Sequence, residues 1–160
     1  MKAAGANTFD AILFAVNETK PRLIKIPWEL VEDNPTSWQK IDKAIWFKQP
    51  ESFVRIIYVH QWGINGPRLP HSLCFMYDDN FLINKSPVNR CVESVTAPGG
   101  RAGHYWCGNI LALRMEGPYN FDFYKNVDMQ EDLEPLVRYL EEYGKVKPVD
   151  PYYGVQDGKA

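Results

Sequence analysis

Cysteine is scarce in this chain of 160 residues, where Cys74, Cys91 and Cys107 are the only three. So small and odd a number cannot be a disulfide framework, and it suits a reducing compartment. An excess of charge of one sign is also missing, because eighteen basic and twenty acidic residues leave a formal net charge of -2. The basic residues are dispersed, which leaves no electrostatic footprint for nucleic acid or an anionic membrane and excludes polyanionic partners. No apolar run approaches the roughly 18 residues needed to span a bilayer. The N-terminus lacks the basic, apolar and small-residue order of a signal peptide, so the expected location is the cytoplasm or nucleus. Asn17-Glu18-Thr19 and Asn84-Lys85-Ser86 match the glycosylation acceptor pattern, which acquires meaning only on a secreted chain. There is no internal repeat and no cofactor motif, so neither a solenoid nor a bound cofactor is expected.

Aromatic side chains are abundant. They make up 14% of the chain, with five Trp and nine Tyr, against ordinary values of 45% apolar and 24% charged. Those totals describe one globular domain. Rings of this size need burial or a partner, which implies a thick core or a ring-lined pocket.

Read in order, residues 1–8 are small and polar and are expected to be flexible; a single domain follows over 9–144, and 145–160 reads as an extended tail rich in Pro, Gly and Tyr. Phe9 to Val16 is a nearly continuous apolar run of strand length, the pattern of a strand covered on both faces. The turn residues Asn17 to Pro21 lead back into Arg22 to Ile26, a second strand that Pro27 closes, and the two are expected to form a hairpin. Ser37 is placed to cap a short helix whose Trp38, Ile41, Ala44 and Ile45 recur at helical spacing. Phe53 to Gln61 and His71 to Tyr77 read as strands, and alternation in the latter puts His71, Leu73, Phe75 and Tyr77 on one face and Ser72, Cys74 and Met76 on the other. Ser86-Pro87 opens a helix with Val88, Cys91, Val92 and Val95 on its apolar face. Ile110 to Met115 is the core strand, and Tyr119 to Tyr124 reads as an edge strand or packed loop. The last helix runs from Leu133 to Tyr143, with Asp132 as cap, Pro135 in the first turn and Gly144 as stop. The fold class is therefore α+β, with a mostly antiparallel sheet of about five strands and two main helices packed on one face.

Chemically capable residues gather around the stretch His104 to Glu116. His71-x-x-Cys74 and His104-x-x-Cys107 share a spacing, and four converging ligands would make a zinc site. However, an offset of three on a strand sends His71 and Cys74 to opposite faces, so no metal site is expected. A Cys-His nucleophile built on Cys107 or Cys91 would need a lowered thiol pKa, and Cys91 reads more simply as core. Asp78-Asp79 follows a strand and offers an acid or base, although acidic pairs there are usually solvated turn residues. The run 98–103 has amides for an anion and one charged side chain, Arg101, but lacks the ending of a phosphate-binding loop. Finally, Tyr58, His60 and Trp62 alternate at the end of one strand, and His104, Tyr105 and Trp106 begin another. If those ends lie side by side, imidazoles and rings line one cavity; otherwise they are core with polar tips.

Ile26-Pro27-Trp28-Glu29, His71-Ser72-Leu73, Asp79-Asn80-Phe81-Leu82, Ser86-Pro87-Val88-Asn89, His104 to Leu111 and Val127-Asp128-Met129 together resemble an uncharacterised domain of mushroom-forming fungi often found beside MYND-type zinc fingers. The resemblance covers about 9–144. It departs at Tyr105, where the family pattern has proline, and this chain has no cysteine-rich MYND segment. The resemblance implies no catalytic residues and no zinc-finger role.

Two functional expectations follow. The first is an interaction or regulatory module for a protein partner or a small apolar or aromatic ligand. The second is a cofactor-independent enzyme or binding protein of isomerase, dehydratase or cyclase type. It would use His104, His71, His60 and Asp78 for proton transfer, and Tyr58, Trp62, Tyr105, Trp106 and Arg101 for ligand contact.

Overall fold

The computed structural model describes residues 7–33, 36–41, 46–47, 54–63, 65–78, 85–96, 106–115 and 123–146. Its elements run β1 (Asn7–Phe14), β2 (Arg22–Asp33), β3 (Thr36–Lys40), β4 (Val54–Gln61), β5 (Arg68–Asp78), α1 (Arg90–Val95), β6 (Ile110–Met115), β7 (Tyr124–Lys125) and α2 (Met129–Val146). The strands form one sheet in the order β3-β2-β1-β6-β5-β4, with β7 beside β6, and every described pairing is antiparallel.

The continuous apolar runs of β1, β5 and β6 have a direct cause, because both faces of these strands are covered. On one face Ile12, Phe14, Leu73, Phe75, Ile110 and Ala112 pack beneath Cys91 and Val92 of α1 and Leu136 and Leu140 of α2. On the other, Phe9, Ala11, Leu13, Cys74, Met76, Leu111 and Leu113 pack with Ile41 and Phe47, and no described helix contributes. Ile24 of β2 and Ile56 of β4, from strands far apart in the sheet order, both reach this second core, so the sheet curls around it. Each fully buried Leu, Ile or Phe contributes roughly 1.5–3 kcal/mol, so both faces are needed for stability.

The sheet has more strands than the expected five. One addition is β7, only two residues long. The other is β3, which pairs with the second half of β2 from Glu29↔Lys40 to Asp33↔Thr36, so the expected helix capped by Ser37 is a strand at that point. Its helical spacing lost to a neighbouring edge, because β2 runs through Pro27 for 12 residues and offers an unpaired flank. Proline is tolerated there because β3 begins to pair only at Glu29, so the missing donor interrupts no second ladder. Within 1–8, Asn7 and Thr8 belong to β1.

Both helices begin elsewhere than expected. Asn89 caps α1, not Ser86, and Val88 lies outside the helix in an isolated bridge to Cys107. The fully buried Asn89 accepts from Val92 N–H at 2.9 Å and donates to the carbonyls of Phe14 and Gly108, both at 2.8 Å. That side chain ties α1 to the end of β1 and to the turn before β6. Gly108, at φ +80°, supplies the left-handed backbone that the turn requires. α2 starts at Met129, and Asp128 takes the capping role by accepting from Gln130 N–H at 2.9 Å. Pro135 therefore lies inside the helix, and the helix continues through Gly144 to Val146, so Gly144 is not its stop.

Candidate functional site

β4 and β6 are both antiparallel to β5, so they run in the same direction. The end of one and the start of the other must then lie at opposite ends of the sheet. Gln61 is opposite Arg68, where β5 begins, whereas Trp106 packs edge-on against Tyr77, near the end of β5, with ring centroids 5.7 Å apart. Among the described residues, Trp62 and Trp106 therefore do not line one cavity. Trp106 belongs to the helix-covered core: it is 6% exposed, and its indole N–H donates to the Leu140 carbonyl at 3.1 Å. His104, Tyr105 and Arg101 lie outside the described residues.

The remaining candidates divide between the two faces. Tyr58 pairs with Cys74 on the face of the second core, and its ring stacks on His60 with planes 10° apart. His60 Nδ1 is 2.8 Å from Ser72 Oγ. Burial, and then the charge of Arg68, lower the pKa of His60 below its ordinary 6.5, which favours the neutral imidazole. Ser72 is only 6% exposed, which leaves little room for a substrate at that hydroxyl. Asp78 is not a solvated turn residue: it is 2% exposed at the end of β5. It lies seven positions after His71, about 23 Å along a strand at ~3.3 Å per residue, too far for the two to share a proton.

His71 and Trp62 do come together, on the helix-covered side. Trp62 N–H donates to the Pro67 carbonyl at 2.8 Å, closing the loop between β4 and β5, and Gly63, at φ +67°, allows the turn. Between this loop, the start of β5 and the first turns of α2 lies a cleft of about 330 Å³. Trp62, Leu69, Leu73 and Pro135 form its apolar lining, and its charged and polar groups are Arg68 and His71 on one wall and Glu131 and Asp132 on the other. A larger hollow of about 530 Å³, lined by Pro27, Trp28, Glu29, Lys40 and Ile41, is more open to solvent.

Arg114 of β6 fixes the acidic wall. Its Nε and Nη2 donate to the two oxygens of Asp132 at 3.0 and 3.1 Å, a forked geometry, and Nη2 also reaches Glu131 Oε1 at 3.0 Å. Burial alone would lower the pKa of Arg114, but the hydrogen bond and charge of Asp132, then those of Glu131, outweigh it and raise the value. Asp132 also accepts from Asp128 N–H at 2.9 Å, so it is not the cap but the residue that joins the cap to the sheet. Its position is held from both sides.

The thiols are poorly suited to nucleophilic chemistry. Burial pushes Cys74 up to about 12, and burial, with the nearby charge of Glu18 or Glu93, pushes Cys91 and Cys107 up to about 11. All three are free thiols. His71 is exposed on the face opposite the fully buried Cys74, and among the described residues no group of three or more His, Cys, Asp or Glu is arranged to hold a metal ion.

Arg68, Glu131 and Pro135 were not singled out as site residues from sequence. Their meeting depends on where α2 crosses the sheet, and the one local signal was the placement of Asp132 and Pro135 at the start of a helix. No helix among the described residues is long and apolar enough to cross a membrane. Compared with known proteins, the chain matches no family model, no curated protein and no solved structure.

Proposed function

We propose that this protein is a non-catalytic binding module of the cytoplasm or nucleus, and that its recognition site is the cleft between the start of β5 and the first turns of α2. The observation that carries the reading is the composition of that cleft: an apolar lining of Trp62, Leu69, Leu73 and Pro135 with a few charged groups at fixed positions. Recognition sites for small ligands and anchoring side chains have this make-up. The three free thiols accord with a reducing compartment. The likeness to a fungal domain without known catalytic residues is compatible with the same role. Proton-transfer chemistry by His60, His71 and Asp78 has less support, because these residues are split between two faces and two ends of β5.

A ligand-observed NMR screen of small apolar and amphipathic fragments tests the reading. Fragments that bind the native protein should lose at least about tenfold in affinity with Trp62→Ala, consistent with truncating a central aromatic anchor. Hits that bind this variant unchanged, or no hits at all, would count against the cleft as a recognition site.

A further inference from the structure

We infer that the cleft takes a small zwitterion with an apolar body, the chemistry of an α-amino acid carrying a large apolar side chain. The inference deepens the binding reading and rests on it. The two walls carry opposite charge. On the β5 wall, Arg68 makes no ion pair among the described residues, so its guanidinium has no internal counter-charge there. On the α2 wall, the carboxylates of Asp132 and Glu131 share the single cation of Arg114, which leaves one negative charge in excess. That excess is available at Glu131, whose side chain is 64% exposed, because Asp132 is buried and held by both the guanidinium and the Asp128 amide.

A ligand that is only an anion would answer Arg68 and face an unanswered Glu131. A ligand that is only a cation would do the reverse. A zwitterion matches both, with its carboxylate towards Arg68 and its ammonium towards Glu131, and its apolar body lies on Trp62 and Pro135 between them. The volume of about 330 Å³ is at the lower end for small-molecule sites, about the size of an amino acid and too small for a nucleotide cofactor.

The test compares three probes with the same ring: L-phenylalanine, 3-phenylpropionate and 2-phenylethylamine. Each is titrated by protein-observed NMR into the wild type, Arg68→Met and Glu131→Gln. Both substitutions are at exposed side chains and leave the Arg114–Asp132 pair in place, so the variants should keep the native spectrum. Phenylalanine should bind about fivefold more tightly than either single-charge analogue, the ratio that ~1 kcal/mol of exposed ion pairing produces. Arg68→Met should weaken phenylalanine and phenylpropionate about fivefold and leave phenylethylamine unchanged, and Glu131→Gln should show the mirror image. Equal binding of all three probes, unaffected by either variant, would overturn the zwitterion assignment while keeping the cleft as an apolar binding site. If none of the probes shifts the resonances of Trp62, Leu69 and His71 while other fragments do, the assignment also falls; if no fragment of any kind does, the binding reading falls with it.

Discussion

Phe75 and Met76 are neighbours on β5 that serve opposite faces of the sheet, and both are fully buried. Phe75 packs edge-on to Trp106 and Tyr139 at 5.5 and 5.7 Å, beneath a helix whose apolar stripe repeats at helical spacing. Met76 belongs to the core enclosed by the curl of the sheet and by Ile41 and Phe47. The helix-covered face is built by local chemistry, namely caps, stripes and a right-sized strand. The other face is built by distant parts of the sheet meeting one another. The cleft lies on the first side, where a rigid helix can hold charged groups in place, and the His60–Ser72 pair lies on the second.

The most direct way to break this comparison is to truncate one residue on each face. Phe75→Ala should lower the unfolding free energy by about 4 kcal/mol and Met76→Ala by about 3 kcal/mol, read from urea titrations. If Met76→Ala cost less than about 1 kcal/mol, the second face would be loosely filled and the sheet would not close over it. Asn89 sharpens the comparison from the helix side. Asn89→Ala removes a cap and leaves two buried carbonyls without their donor, an expected loss of about 2–3 kcal/mol, whereas Ser86→Ala should stay within about 0.5 kcal/mol. Similar losses from the two would return the cap to Ser86.

Thiol chemistry tests whether both faces stay closed. In the native protein at pH 8, Cys74 and Cys91 should resist an aromatic disulfide reagent, and Cys107, partly exposed, should react slowly; all three should react promptly in denaturant. A rapid native reaction at Cys74 would mean that the second core opens readily. The smallest expected effect belongs to His60. Its folded pKa is depressed, so the unfolded chain binds more protons once the pH falls below about 6.5, and stability is lost as the pH drops from there through the folded value. His60→Gln should remove that part of the slope and leave stability above pH 7 nearly unchanged.

These contrasts also explain which features were legible in the sequence. β6 was visible over its full span as an apolar run, and the alternation of β5 assigned Leu73 and Phe75 to one face and Cys74 and Met76 to the other. β3 was misread because Trp38 and Ile41 fit a helical period, and only the open flank of β2 made the segment a strand. Asn89 was hidden by Ser86-Pro87, a stronger local start signal three residues earlier, because its worth lies in carbonyls contributed by Phe14 and Gly108. In the cleft, Trp62 and His71 stood out by residue type, but Arg68 and Glu131 looked like ordinary surface charges. Their significance comes from the crossing of α2 over the end of the sheet, which no local pattern encodes.

The most direct test of the central claim is a two-dimensional ¹⁵N–¹H NMR titration that follows the five tryptophan indole N–H signals as phenylalanine is added, with Trp62 assigned by Trp62→Phe. A saturable shift of the Trp62 indole, with Trp106 unmoved in the core and Trp28 unmoved at the open hollow, is the predicted result. Shifts that centre on Trp28, or that leave Trp62 in place while any other indole responds, would contradict the cleft as the recognition site.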